Sequence, residues 1–409
     1  MTMEDPRPDY IRMSPVERLM PQEEMLEVAR QPSSLLIGVP KEVSLQENRV
    51  SLVPDGVALL CRNGHQVMVE AGAGVTAHFT DHAYSEAGAQ VVYSPRDVYK
   101  ADIILKVGPA NRAEIEMFRP KQTVISAIQI AMQCEEYFRA VLSKKVTALA
   151  FETIRDKTNQ LAIIRAMSEI AGSTSIFIAA DYLASSEFGR GEMFGGFTGI
   201  TPSEVVIIGA GTVGEFAARS AIGLGALVKV FDNSVYRLRR LQSNLGMRVF
   251  TSILHPKALV ESLRTADVLI GAIHAREGKT PCIISEGMIM QMKDGAVAID
   301  VSIDQGGCFE TSKPTTHKSP VYKVHGVTHY AVPNIPSKVP HTASQALNNI
   351  IVPIILDIGS EGGIENMLKR DHGVRQGVYI YNGILTNQFI SKSYNIPFQD
   401  ISLLMAAFH

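Results

Sequence analysis

Apolar residues in this chain come in short continuous runs, separated by amphipathic or polar stretches. LLIGVP (35–40), HQVMVE (65–70), ADIILKVGP (101–109), TVISAIQI (123–130) and KVTALAFE (145–152) form one series. SEVVIIG (203–209), LVKVF (227–231), VLIGAI (268–273) and AVAIDVS (296–302) form a second. Continuous runs of this length, many of them β-branched, predict strands covered on both faces. Helical segments lie between them, such as the one that follows Pro54 and ends near Gly64. Strands alternating with helices predict parallel sheets with helices on both sides. The expected fold class is therefore α/β, with two Rossmann-like doubly wound parallel-sheet domains and a cleft between them.

Two longer apolar stretches, 161–187 and 343–359, read as helices that carry the chain between the domains. This gives a discontinuous first domain, 35–165 and 341–409, and a second, 166–340. Residues 1–34 read as an extension, with helical periodicity after Ser14 interrupted by Pro21. A chain of 409 residues is too long for one ordinary core, which agrees with two domains.

Composition removes several function classes. A formal net charge of -2 gives no electrostatic case for nucleic acid or an anionic membrane. No apolar run reads as long enough to span a bilayer, and the acidic, proline-broken start lacks the layout of a secretory signal. Cys61, Cys134, Cys282 and Cys308 are scattered, with no metal-ligand spacing; no metal is expected, and reduced thiols fit a cytoplasmic protein.

The sharpest motif follows the strand at 204–208. Gly209, Gly211 and Gly214 have the spacing G-x-G-x-x-G, and a helix opens at Thr212 and Val213. The first glycine serves the tight turn, the second a close approach to pyrophosphate, and the third the packing of helix on strand. The helix N-terminus favours that phosphate. Asp232 ends the next strand, where a carboxylate accepts from ribose hydroxyls and disfavours a 2′-phosphate, so the expected cofactor is NAD. Arg237 is either a cofactor contact or a solvated helix residue. Ligands in such sheets bind at the carboxyl ends of strands, which makes 273–276 (Ile273 and His274 among them) and 302–307 site candidates. The first sheet lacks the glycine motif and is expected to hold the other substrate.

IGVPKE, ENRVSLVPDGV, EAGAG, ADIILKV, MSEIAG, VVIIGAGTVG, VSIDQGGCFE and VPNIPSKVP resemble segments of alanine dehydrogenases, and more loosely of the NAD-binding domain of proton-translocating transhydrogenase. The resemblance runs from about residue 35 to about residue 395. It implies an oxidoreductase that interconverts a small L-amino acid with its 2-oxo acid and ammonia. It also implies a symmetric homo-oligomer, hexamer or dimer. By the same resemblance Arg49 clamps the substrate carboxylate, Lys106 contacts its carbonyl or imine, and Asp304 lies beside the nicotinamide and the substrate nitrogen. Ser168 matches a pyrophosphate contact and Asn334 a residue near the nicotinamide. On the residues alone, Ser168 reads equally as a helix N-cap and Asn334 as a turn residue.

Three positions depart from the pattern. Gln129 stands where the family has its acid/base histidine, and an amide orients a carbonyl but carries no proton near neutral pH. His274 stands where the family usually has an aliphatic residue; it either packs on the adenosine side or faces solvent, or it supplies the missing acid/base function. The loop after Lys106 reads GPA in place of an acidic residue and proline. Alternatives are a dinucleotide-binding module of the transhydrogenase type with little or no dehydrogenase activity, and a saccharopine-type enzyme with a larger substrate.

Overall fold

The computed structural model describes residues 33–43, 47–274 and 280–407. The extension up to residue 32, and candidates 275 and 276, lie outside the described residues. The strands are β1 (Leu36–Val39), β2 (Gln66–Glu70), β3 (Gln90–Val92), β4 (Ile103–Leu105), β5 (Thr123–Ser126), β6 (Thr147–Ala150), β7 (Glu204–Ile208), β8 (Leu227–Phe231), β9 (Phe250–Ser252), β10 (Val268–Gly271), β11 (Val297–Asp300), β12 (Val321–Val324), β13 (Val327–Tyr330), β14 (Val378–Tyr381) and β15 (Ile384–Leu385).

They form two sheets. The first has the order β3-β2-β1-β4-β5-β6-β14-β15 and the second β9-β8-β7-β10-β11-β13-β12. Each contains the doubly wound order, in which the chain starts in the middle and reverses direction beside its first strand. The reversals fall between β1 and β4 and between β7 and β10. Neither sheet is parallel throughout: β12 runs antiparallel to β13, β14 to β6, and β15 to β14. Two of these pairings, β12 with β13 and β14 with β15, join neighbouring strands whose connections are too brief for a crossover helix, whereas β14 meets β6 only after the whole second sheet has been built. Val324 and Val327, for instance, pair across a tight turn at His325 and Gly326.

Residues of one strand alternate between two cores, as a sheet covered on both faces requires. Val205 and Ile207 join one cluster with Ile176, Ala217 and Ala218, while Val206 and Ile208 join another with Leu259 and Leu263. Helix Ala162–Ala184 links the sheets and packs on the glycine-motif helix Thr212–Gly223. Gly172 makes that contact possible, because a Cβ there would stand 2.4 Å from the Val213 carbonyl oxygen. By length and composition this helix can cross a membrane, contrary to the expectation from sequence. Its apolar surface serves instead to meet the second sheet's core, with Ala171, Ile176, Ala179 and Leu183 buried. Helix Pro340–Ser360 returns the chain and buries Leu347, Ile351 and Ile355 against the first sheet's core.

Candidate functional site

The glycine motif is built as its spacing predicts. Gly209 has φ +111, and a Cβ there would meet the Ala272 carbonyl oxygen at 2.4 Å. A Cβ on Gly214 would stand 1.9 Å from the Gly209 oxygen, so helix and turn meet with no room for a side chain. Gly211, by contrast, faces open space, with nothing within 4 Å. That open face, at the N-terminus of a 12-residue helix, fits a pyrophosphate. Thr212 and Val213, both half-buried, open the helix. Asp232 lies at the end of β8, and its carboxylate accepts from the Ala210 N–H (2.8 Å) and the Ser234 N–H (2.7 Å). It thereby ties the glycine turn to the next strand. Arg237 Nη1 lies 3.7 Å from it. Ile273 donates its N–H to Ser302 Oγ (2.9 Å), joining the ends of β10 and β11.

Across from this crevice, the first sheet presents charges that have already found partners. Arg49 is buried, with Nε and Nη2 each 2.7 Å from the two oxygens of Glu47. The Arg49 N–H also donates to Glu47 (3.0 Å), and Nη1 points at Met167 Sδ (3.1 Å). Burial opposes its charge, but Glu47, Glu42 and Asp304 outweigh that and hold its pKa above the usual value. Burial likewise works against Glu47, and Arg49 overcomes it, leaving the acid below the ordinary carboxylate range.

Lys106, at the end of β4, is 1% exposed. Its ammonium donates to Glu114 (2.8 Å) and Glu42 (3.1 Å). Desolvation favours the neutral amine, yet the two carboxylates prevail and its pKa is raised. Burial raises that of Glu42, which Lys106 only partly offsets. Glu42 also accepts from the Val107 N–H (2.6 Å), while Glu114 takes the Tyr99 hydroxyl (2.9 Å) and closes a capping box with Asn111. Its electrostatic influence on both Lys106 and Arg49 makes Glu42 the link between the two cations.

Asp304 projects from the loop after β11. Asp300 anchors that loop by accepting from the N–H groups of Ser302, Cys308 and Phe309 and from Ser312 Oγ. Gly306 and Gly307, both at positive φ, complete the turn. Asp304 accepts from the Asn334 N–H (2.8 Å), and Asn334 Nδ2 donates to Glu47 (2.9 Å). Asp304 retains solvent access, yet enclosure by surrounding protein raises its pKa to about 6, against the pull of the Asn334 N–H and Arg49. Asn334 adopts a left-handed conformation, φ 59, which asparagine tolerates well. The structure therefore joins Arg49, Glu47, Asn334 and Asp304 in one hydrogen-bonded line between the two sheets.

Other predicted residues sit apart from that line. Gln129 is exposed at φ 49, and its N–H donates to Glu152 (3.0 Å), which also takes the Ile128 N–H (2.7 Å). The other oxygen of Glu152 is buried without a partner, and desolvation raises its pKa. His274 is hydrogen-bonded to Gln305; partial desolvation and then Arg237 push its pKa down. Ser168 follows Met167 within helix Ala162–Ala184, whose N-cap is Leu161, so it is no N-cap. Sequence reasoning missed Glu42, Glu47 and Glu114 as site residues. Glu42 and Glu47 stood in recognised segments, and the Asn111–Glu114 spacing signals a capping box. None of these announces an ion pair.

Two doubly wound sheets, one with an intact dinucleotide motif and both contributing charged groups to a shared cleft, define an oxidoreductase with an NAD-binding Rossmann-like domain. The chain belongs to the alanine dehydrogenase/PNT family: the family's N-terminal domain matches residues 38–171 and its C-terminal domain residues 175–388. It is 38% identical to alanine dehydrogenase of Staphylococcus saprophyticus over 368 residues, covering 90% of this chain and 99% of the relative. Against alanine dehydrogenase of Bacillus subtilis the identity is 39%, over 88% of this chain and 94% of the relative. A solved L-alanine dehydrogenase superposes with TM-score 0.83 at 37% identity, over 88% of this chain and 99% of that one. A transhydrogenase from Sinorhizobium meliloti shares the fold, with TM-score 0.74 at 23% identity, over 87% of this chain and 99% of that one.

Proposed function

We propose that this chain is an NAD-dependent amino-acid dehydrogenase that converts a small L-amino acid, L-alanine first, reversibly to its 2-oxo acid and ammonia. The observation that carries this reading is the line Arg49–Glu47–Asn334–Asp304, which sets a carboxylate receptor beside a titratable acid between the two sheets. Bound in the glycine crevice by residues 209–214, Asp232 and Arg237, NAD supplies the hydride acceptor. Arg49 holds the substrate carboxylate with a planar fork of donors. Lys106 keeps one ammonium donor beyond Glu42 and Glu114, and we assign it to the substrate's carbonyl or imine. Asp304 takes the proton lost as amine becomes imine and water adds, and Gln129 orients the substrate by hydrogen bonding. His274 is tied through Gln305 to the loop carrying Asp304, and Ser168 lies on the helix facing the glycine motif. We assign residues 35–165 and 341–409 to the substrate side and 166–340 to the cofactor side. A cytoplasmic homo-oligomer is part of the same reading.

Charge supports an amino acid over a 2-hydroxy acid. Four carboxylates (Glu42, Glu47, Glu114 and Asp304) stand against the two cations Arg49 and Lys106. An amino-acid zwitterion, or a 2-oxo acid entering together with ammonium, adds no net charge there, whereas a 2-hydroxy acid adds an anion. The test is NADH formation by the purified protein with a panel of L-amino acids and their 2-hydroxy analogues, run beside Gln129→His. L-Alanine turns over and L-lactate does not, and the variant is faster by roughly 10²-fold or more, the range of general acid–base catalysis. No turnover with any amino acid, and none in reverse with ammonia and 2-oxo acids, refutes the assignment. It leaves the nucleotide-binding module that Gln129 favours.

A further inference from the structure

We propose that Glu47 is a positioning residue that selects which edge of the Arg49 guanidinium meets the substrate and couples that contact to Asp304. The inference rests on the dehydrogenase reading for the identity of the substrate, and on the geometry below for everything else.

A guanidinium offers two forks to carboxylates, the side edge (Nε with one Nη) and the end edge (the two Nη atoms). Glu47 takes the side edge with two bonds of 2.7 Å, and its own position is fixed by the Arg49 N–H and by Asn334 Nδ2. Each Glu47 oxygen thus receives two donors, and the acid is spoken for. What remains on Arg49 is the end edge, where the only contact among the described residues is the weak acceptor Met167 Sδ at Nη1. A thioether gives way to a carboxylate at little cost, because a charge-assisted bidentate pair is far stronger. A substrate therefore has no need to expel Glu47; it docks on the edge that Glu47 leaves.

The same acid reaches the second sheet's side. Asn334 donates its side chain to Glu47 and its backbone N–H to Asp304. The charged groups acting on Asp304 are Arg49, which favours its ionised form, and Asp300, which opposes it. Glu47 neutralises part of the Arg49 field that Asp304 feels. Three further hydrogen bonds clamp the same stretch to the far side: Asn48 N–H to Ser337 Oγ (2.7 Å), Asn48 Nδ2 to the Ser337 oxygen (3.3 Å), and Val50 N–H to Ser344 Oγ (2.9 Å). A shift of the guanidinium on docking is thus transmitted to the acid that handles the proton.

The experiment compares wild type, Glu47→Gln and Asn334→Gly, the last keeping a residue at ease with positive φ while removing Nδ2. Pyruvate binding to the NADH-loaded protein is measured by calorimetry without ammonia, so that no turnover is required. The pH profile of amino-acid oxidation is recorded in parallel. Glu47→Gln weakens pyruvate at least tenfold and moves the acidic limb of the profile to lower pH, since Asp304 then feels Arg49 unopposed. NADH affinity stays within twofold. Asn334→Gly moves the limb with a smaller loss of pyruvate affinity. The proposal is overturned if Glu47→Gln binds pyruvate as wild type does, or if pyruvate weakens while the limb stays put. Should Glu47→Gln fail to fold, an unmoved limb in Asn334→Gly overturns it alone. Absence of turnover in wild type refutes the dehydrogenase reading and leaves the calorimetric comparison to decide this one.

Discussion

Replacing Lys106 by methionine keeps the length of the side chain and removes one buried charge. In the native protein this ammonium lies between Glu42 and Glu114, whose side chains are 6% and 8% exposed. Without it, each acid must stay ionised in a desolvated site or take up a proton. Protonation caps the cost. For a carboxylate of ordinary pKa 4.5, such as Glu42, holding the proton costs about 1.4 kcal/mol per pH unit above that value. This amounts to about 5 kcal/mol at pH 8 and under about 1 kcal/mol at pH 5. Residual donors reduce the cap: Glu42 retains the Val107 N–H and Glu114 the Tyr99 hydroxyl. A loss of about 3–5 kcal/mol at pH 8 is the expectation, the range for removing one partner of a buried pair. The sign follows from linkage. An acid whose folded pKa is raised binds its proton more tightly folded than unfolded, so stability declines as pH rises through the interval. Lys106→Met is therefore close to wild type at pH 5 and strongly destabilised at pH 8. Urea midpoints at fixed protein concentration measure this, with Lys144→Met at the exposed Lys144–Glu116 pair as control. An equal loss at both pH values, or none at pH 8, refutes the view that Lys106 offsets two buried carboxylates.

Outcomes for three further variants follow from the site. Asp304→Asn lowers turnover by roughly 10²–10⁴-fold and removes the limb near pH 6, while NADH binding persists. Because the Asp304 pKa rises from 3.8 to about 6, its contribution to stability is present at low pH and lost as pH climbs through that interval; the variant lacks that slope. Gly211→Ala, whose Cβ meets open space, leaves the unfolding midpoint alone but weakens NADH measured by fluorescence. Gly214→Ala puts a Cβ 1.9 Å from a carbonyl oxygen and lowers the midpoint itself, by about 1–3 kcal/mol of overpacking.

The two wound sheets and the glycine crevice were legible because their signals are local. Val205 to Ile208 are buried on both faces and read as apolar, and Gly209 and Gly214 occupy positions where backbone geometry admits no side chain. The antiparallel edges were missed because β12 is only partly buried, β15 has two residues, and the direction in which a buried strand pairs is not written in its apolar pattern. Short, half-covered strands carry little periodicity. Helix Ala162–Ala184 shows the opposite limit, a strong apolar signal whose meaning depended on its neighbours.

The candidate site was legible as residues and not as pairs. Arg49, Lys106, Asp304 and Asn334 were singled out, yet the sequence gives no sign that Arg49 spends one fork on Glu47 two residues earlier. Nor does it say that Lys106 serves two acids, one 64 residues before it and the other eight after. A buried charge must be compensated, but which acid answers is settled only when strand ends converge. Here β1, β4 and β11 end near one another in space, and the loops beyond them deliver Glu42, Lys106 and Asp304. The acids outnumber the cations because each carries a second duty. Glu114 caps a helix, Glu42 receives the Val107 N–H, and Glu47 receives Asn334. Fixing two cations in a desolvated cleft thus leaves a surplus of negative charge. On the proposed dehydrogenase reading, the amino group of the substrate answers that surplus, and Asp304, with its pKa raised to about 6, receives the proton it gives up.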